Sequence, residues 1–331
     1  VNDTSNERAA QPGMTKSHRS LRERLKPVHL TIALIVIVGV MMSIGNPNFL
    51  SPYNIDTILS FGAILLIVAL GQMFVILIGG IDLSVGGTIS LVSVLFILLV
   101  HQVGYLAYPI CILTGMVIGF VNGVTLTKVK IPSFIATLGT DGIITSLAYL
   151  VSPRPINAAP EDYHYLDIVN GSLLGLSNVL IIGLVALSLA FAFLRYTRTG
   201  RNIYFVGSNI RMSWMSGTDI VGTRNVAFML SGVAAAMVGI IISSVRFGGD
   251  PVVGTSYVLN SIAAVVVGGT ALTGGMGGVL SVLFGTLFLS MLDNGMNVIG
   301  VDQYFQQAIL GAMIILGVAV TFDRTKTPII K

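Results

Sequence analysis

Apolar runs of bilayer-crossing length recur from end to end of this chain, and that recurrence narrows its possible folds more than any other feature. A helix needs about 20 apolar residues to cross the hydrocarbon core, and inside lipid every backbone donor and acceptor must be satisfied within the protein. Pro27–Gly45 is the first such run. Ile55–Ile78, Gly87–His101, Tyr105–Thr127, Ser133–Ser152 and Ser172–Leu194 follow, and Asn225–Val245, Ser256–Ala271, Gly278–Leu292 and Tyr304–Thr321 complete the set. The pattern predicts an all-α polytopic membrane protein of about ten transmembrane helices. Gly87–His101 and Ser256–Ala271 are short for a full crossing, so they are expected to tilt, to half-span, or to extend through their glycine-rich flanks. Pro27–Gly45 could pass for a signal peptide ending at Ser43-Ile44-Gly45, but with so many spans behind it we read it as an uncleaved first helix.

Charge sets the orientation. Charged residues are only 10% of the chain and hydrophobic ones 54%, against roughly 25% charged in soluble domains; mean hydropathy is +0.89. The isoelectric point near 9.2 does not point to nucleic acid, because the basic residues sit in short loops between apolar runs. With the N-terminus inside, the cytoplasmic face collects Arg8, Lys16, Arg19, Arg22, Arg24 and Lys26, then Lys128 and Lys130. Arg195, Arg198, Arg201, Arg211 and Arg224 fall in a central loop on the same side, and Arg324, Lys326 and Lys331 at the end. Only Arg154 and Arg246 fall outside, as the positive-inside rule requires. The expected layout is a basic cytoplasmic tail at 1–26, a membrane domain at 27–324 with a cytoplasmic loop at 195–224, and a C-terminal cytoplasmic tail at 325–331.

Between the second and third runs lies a glycine-dense knot, Gly79-Gly80-Ile81-Asp82-Leu83-Ser84-Val85-Gly86-Gly87. A lone carboxylate is costly in lipid, so Asp82 should face protein, water or the membrane boundary. The glycines let the backbone leave the helix, which membrane depth tolerates only beside a cavity or packed protein. A tight surface turn and the wall of a path both satisfy these constraints. Gly248-Gly249-Asp250-Pro251-Val252-Val253-Gly254 is a faint second copy, and each follows the second span of a five-span half. Five crossings is odd, so the halves would be inverted repeats, with the first knot towards the cytoplasm and the second towards the outside.

Other features have narrower readings. Gly115, Gly119 and Gly123 fall on one helical face and are expected to let two helices approach closely. The loop Pro153–Gly171 holds three prolines and Glu161, Asp162 and Asp167, as a solvated lid or a docking surface would. Cys111, the single cysteine, reads as a small packing residue. His18, His29, His101 and His164 are too scattered to ligate a metal, and no Gly-x-x-x-x-Gly-Lys-Ser/Thr loop is present to bind ATP. No metal, cofactor or catalytic residue is expected. In the central loop, Asn209 can cap a short helix and Gly217 can end it, leaving Met212, Trp214 and Met215 as an apolar surface suited to a protein groove or to lipid headgroups.

Four stretches together resemble a known family. They are Gly79 to Gly86, Lys130-Ile131-Pro132-Ser133-Phe134-Ile135-Ala136-Thr137-Leu138-Gly139, Gly268-Gly269-Thr270-Ala271-Leu272-Thr273-Gly274-Gly275-Met276-Gly277, and Asp293-Asn294-Gly295-Met296-Asn297. The family is that of the inner-membrane permeases of bacterial ABC importers for ribose and related monosaccharides, which includes permeases for the furanone-type signal autoinducer-2. The resemblance runs from about Pro47 to Phe322. It implies a multi-pass bacterial inner-membrane subunit with no enzymatic activity of its own, partnered by an ABC ATPase, by a periplasmic or lipid-anchored substrate-binding protein, and by a second permease chain in a homodimer or heterodimer. It also implies that the central segment is the coupling helix that seats in the ATPase. Thr197-Arg198-Thr199-Gly200-Arg201 matches the family's T-R-x-G-R, whereas Ser208, Met212-Ser213 and Thr218 depart from its pattern and bear on which ATPase fits. The expected coupling residues are Asn209, Met212, Ser213, Trp214, Ser216 and Gly217.

The path itself should be lined by polar groups inside spans. Gln72, Asn122, Thr137, Asp141 and Asn294 are the candidates, joined by Asp82 and Ser84 at the knot, since amides and hydroxyls bind a sugar or polyol reversibly. Each could equally form an interhelical hydrogen bond. An ion-coupled secondary transporter is the alternative class; it usually needs a buried carboxylate set, and Asp82, Asp141 and Asp293 are few and scattered. An intramembrane enzyme would need a catalytic pair within the spans.

Overall fold

The computed structural model describes residues 27–321; the basic tails expected at 1–26 and 325–331 fall outside them. The described chain is almost entirely helical. Helix α1 (Pro27–Gly45) leads through a short 3-10 turn, Pro47–Leu50, into α2 (Pro52–Leu77), whose start is fixed by the Ser51 hydroxyl accepting from the Asn54 N–H and by Pro52 in the first turn. After the first knot come α3 (Val85–Val103), α4 (Ala107–Val124) and α5 (Ser133–Val151). Beyond a long connection stands α7 (Asn178–Tyr196), and α10 (Ile220–Val245), α11 (Thr255–Val267), α12 (Val279–Val298) and α13 (Gln303–Thr321) complete the bundle.

Each of the ten apolar runs thus holds a helix. Among the described residues, six helices are long and apolar enough to cross a membrane by length and composition. One of the six is the continuous stretch Val85–Val129, which folds back on itself: Phe96 of α3 and Tyr108 of α4 stack edge to face with ring centroids 4.8 Å apart. The run expected at Ser256–Ala271 is helical only as far as Val267, because Gly269, Gly274, Gly275 and Gly277 adopt positive φ and carry the chain into an irregular loop before α12. The run expected to begin at Ser172 starts instead with a hairpin, β2 (Ser172–Leu173) and β3 (Leu176–Ser177), and turns helical at Asn178.

Two helices form the centre. Burial takes 83% of the apolar window of α2 and 72% of that of α10, but only 22% in α5 and in α7. The seam between α4 and α10 explains the approach of the backbones. A Cβ on Gly115 would strike the carbonyl of Gly232, one on Gly119 the carbonyl of Phe228, and one on Gly123 would lie 2.8 Å from the Asn225 Cα. The spaced glycines of α4 therefore do the packing expected of them.

The two connections on either side of α7 carry structure that a loop reading does not supply. The 153–171 segment contains β1 (Ile156–Asn157) and α6 (Tyr163–Asn170), and β1 pairs antiparallel with β4 (Gly248–Gly249) of the second glycine segment. The 195–224 segment contains two helices, α8 (Arg198–Ser208) and α9 (Ile210–Met215), where one was expected. The glycine knots were expected at opposite faces; in the structure Gly79 lies near Thr273 and Gly274, and Gly248 near Ile156. Their inner ends meet, because a Cβ on Gly254 would strike the carbonyl of Gly86.

Candidate functional site

The first knot closes around Asp82. Gly79 takes a left-handed turn, φ 76°, and its N–H and that of Gly80 bond back to the Ile76 and Val75 carbonyls, so α2 ends without stranded acceptors. The chain then leaves the helix, and Asp82 is buried with 1% exposure. Its Oδ1 accepts from the Ser84 N–H (3.0 Å) and the Ser84 hydroxyl (2.6 Å), and its Oδ2 from the Ser231 hydroxyl of α10 at 2.8 Å. Gln72 on α2 lies behind the Asp82 backbone; with its amide turned nitrogen towards the carbonyl, it donates to the Asp82 carbonyl (3.1 Å) and accepts from the Asp82 N–H (3.2 Å). From α4, Asn122 donates to the Ser84 hydroxyl at 2.7 Å.

Helix α5 supplies the other wall. The Ser133 hydroxyl accepts from the Ile81 N–H (3.1 Å) and the Thr137 hydroxyl from the Leu83 N–H (3.0 Å). One turn on, the Asp141 carboxylate accepts from the Gly87 N–H at 2.7 Å, at the start of α3 where free N–H groups collect. No Lys or Arg pairs with Asp82 or Asp141 among the described residues. A buried carboxylate is held here by hydrogen bonds alone, an arrangement that fixes geometry at the expense of desolvation.

Of the seven expected path residues the structure gathers six: Gln72, Asp82, Ser84, Asn122 and Thr137, all buried, and Asp141, partly exposed. Asn294 stands apart. It forms a reciprocal amide pair with Asn54, 2.9 and 3.0 Å, which ties α12 to the start of α2. Sequence reasoning missed Ser231, Ser133 and Asn54, and also Ser90 and Ser93 of α3. The Ser90 hydroxyl accepts from the Gly254 N–H at 2.9 Å, and Ser93 bonds both the N–H and the carbonyl of Asp250. The available signal was weak: single hydroxyls, and for Asn54 one amide, in apolar helices, each without a visible partner nearby in the sequence.

The 195–224 segment makes the second half of the site. Asn209 caps α9 as expected, its Oδ1 accepting from the Met212 N–H at 3.0 Å. Gly217 ends the helix with φ 74°, where the Gly217 and Thr218 N–H groups bond to the Trp214 and Ser213 carbonyls. Met212, Trp214 and Met215 are exposed, Trp214 at 71%. Ser213 is not: it is buried, and its hydroxyl turns back to the Asn209 carbonyl at 2.9 Å. Between α8 and α9 lies a groove of about 370 Å³ lined by Phe205, Asn209, Met212 and Ser216.

A family model described as branched-chain amino acid transport system / permease component matches residues 54–318. The ribose import permease protein RbsC of Haemophilus influenzae is 36% identical over 297 residues, covering 88% of this chain and 91% of that protein. The protein of the same name from Bacillus subtilis is 36% identical over 302 residues, with 88% and 91% covered. The D-allose transport system permease protein AlsC of Escherichia coli K12 is 30% identical over 290 residues, with 86% and 88% covered. No solved structure matches the chain.

Proposed function

We propose a function from family membership: the chain belongs to the branched-chain amino acid transport system / permease component family, and we read it as the membrane-spanning permease subunit of a bacterial ABC importer. Its cargo is a monosaccharide or a sugar-like small molecule, because relatives matching it over most of its length are named for ribose and allose. ATP hydrolysis on a separate ATPase subunit drives import. A periplasmic or lipid-anchored binding protein delivers the cargo, and a second permease chain, the same or related, completes the path.

The observation that carries this reading beyond family membership is the exposed apolar face of α9. A capped six-residue helix presenting Met212, Trp214 and Met215 beside an open groove is a surface for another protein. We read 195–224 as the cytoplasmic coupling loop. Ten crossings, with both termini cytoplasmic and 27–324 as the membrane domain, are supported by the fold-back within Val85–Val129 and by the repeated order of parts. The long helices α2 and α10, 26 residues each, both lead into a glycine knot and then a shorter helix, as two inverted five-helix halves would. Asp141 and Asn294, left partly exposed, are set on the path itself; Gln72, Asp82, Ser84, Asn122 and Thr137 hold its wall.

The test is reconstitution with the ATPase and binding protein encoded beside the gene. Ribose uptake into proteoliposomes is expected to need ATP and the binding protein. Uptake by the chain alone, driven by a proton or sodium gradient, would replace this reading with an ion-coupled secondary transporter. For topology, a cysteine at position 161 should react with an impermeant reagent from outside and one at 209 should not; the reverse pattern overturns the ten-crossing arrangement.

A further inference from the structure

We propose that a side-chain-free junction of Leu77, Gly207 and Gly274 is the relay by which movement of the coupling segment reaches the Asp82 knot. The inference rests on the permease reading and assigns positioning roles to residues that contact neither cargo nor the proposed docking face.

Helix α8 is clamped at both ends by glycine. At its start, the Thr197 hydroxyl caps the Gly200 N–H at 2.9 Å, and a Cβ on Gly200 would strike the Phe193 carbonyl and lie 2.6 Å from the Leu194 Cα of α7. At its end, a Cβ on Gly207 would collide with the Leu77 carbonyl and lie 2.6 Å from the Gly275 nitrogen. That carbonyl is the last acceptor of α2, and the Gly275 N–H donates to it at 2.9 Å. Gly274, at φ 87°, completes the contact: a Cβ there would sit 2.8 Å from the Gly79 nitrogen, 3.0 Å from the Leu77 oxygen and 3.1 Å from the Gly207 oxygen. One turn back on α8, the Tyr204 hydroxyl donates to the Gly277 carbonyl at 3.2 Å. Burial pushes that phenol above its usual range.

Three segments therefore meet backbone on backbone. Side chains in a contact can absorb a displacement by changing rotamer, but a carbonyl seated against a glycine cannot, so close-packed interfaces shift as wholes. Asn209, which caps α9, also ends α8, so a push on the exposed face of α9 acts on Gly207 directly. From there it divides. One branch passes through Leu77 and Gly79 to Asp82, five residues past Leu77. The other passes through Gly274 into the loop between α11 and α12, whose glycines at positive φ let it change shape.

The test compares Gly207→Ala, Trp214→Ala and a control, Gly142→Ala, whose added Cβ meets nothing within 4 Å. Each is purified with the ATPase and reconstituted with binding protein and ribose. Gly207→Ala should keep the ATPase and its basal hydrolysis while stimulation by ribose-loaded binding protein and ribose uptake fall about tenfold, the size of coupling loss that single residues along such networks produce. Trp214→Ala should lose the ATPase itself, and Gly142→Ala should match wild type. Full stimulation and uptake in Gly207→Ala overturn the relay but leave the permease reading standing. A wild-type chain that binds no ATPase sinks the reading, and the relay with it. If Gly207→Ala does not fold, hydrogen exchange on the wild-type complex decides. Residues 77–83 and 270–278 should change protection together when nucleotide binds, and independent change overturns the relay.

Discussion

The most apolar stretches of α2 and α7 are about equally hydrophobic, yet 83% of that stretch is buried in α2 and only 22% in α7. In water such a contrast would be written in hydrophobicity. In lipid it cannot be, since acyl chains are as apolar as leucine and reward neither position. The difference lies in the small and polar residues. On α2, Gly71 admits α10 so closely that an added Cβ would sit 2.7 Å from the Ala234 Cβ, and Gln72 grips the Asp82 backbone. Along α7, Gly183 makes one such close approach, 2.8 Å to Ala63, while Leu184, Val185, Leu189 and Phe191 face outward. Backbone proximity and buried hydrogen bonds, rather than apolarity, choose the centre of this bundle.

The contrast breaks most visibly at the α4–α10 seam. Gly119→Leu drives a side chain into the Phe228 carbonyl, and the expected cost is about 3 kcal/mol or more. The variant should give little monodisperse protein in detergent by fluorescence-detected gel filtration; a normal peak would show that the seam is not tight. Next in size is Asp82→Asn, which keeps shape and removes charge. Ribose uptake should fall roughly tenfold and the thermal midpoint should drop with a loss of about 2 kcal/mol, while membrane insertion stays intact. Unchanged uptake would reduce the carboxylate to a fastener.

Smaller effects sharpen the comparison. A double-mutant cycle on Asn54→Ala and Asn294→Ala, read by thermal unfolding, should show a coupling near 0.6 kcal/mol, the average for hydrogen bonds between membrane helices. Additivity would mean the reciprocal amide pair contributes nothing between its helices. Smallest of all, Leu184→Ala or Leu189→Ala on the outward face of α7 should stay within about 0.5 kcal/mol of wild type. A large loss there would reveal that protein, not lipid, covers α7.

Much of this was legible in the sequence because its signals are local. The apolar runs gave the helices, the spacing of Gly115, Gly119 and Gly123 marked a packed face, and Asn209 and Gly217 bounded α9 correctly. What stayed hidden depends on distant partners. Ser231 is one hydroxyl in a long apolar helix, and nothing near it in the chain announces a carboxylate 149 residues away. Helix α8 was missed because its polar composition reads as loop, while its helicity depends on the Thr197 cap and on glycine contacts with α7 and α2. Ser213 was expected to face a partner along with its neighbours; a six-residue helix against the bundle must turn one side inward, and the serine takes that side.

The long reach of the Asp82–Ser231 bond has a consequence for synthesis. When residues 27–151 have entered the bilayer, Asp82 has its own loop and α5 around it, but the hydroxyl that completes Oδ2 is still unmade. The same is true of α10's backbone beside Gly115 and Gly119, and of Gly254 beneath Gly86. Until α10 is made, the first five helices therefore lack one partner of the Asp82 carboxylate and the backbone that packs on the glycine face of α4.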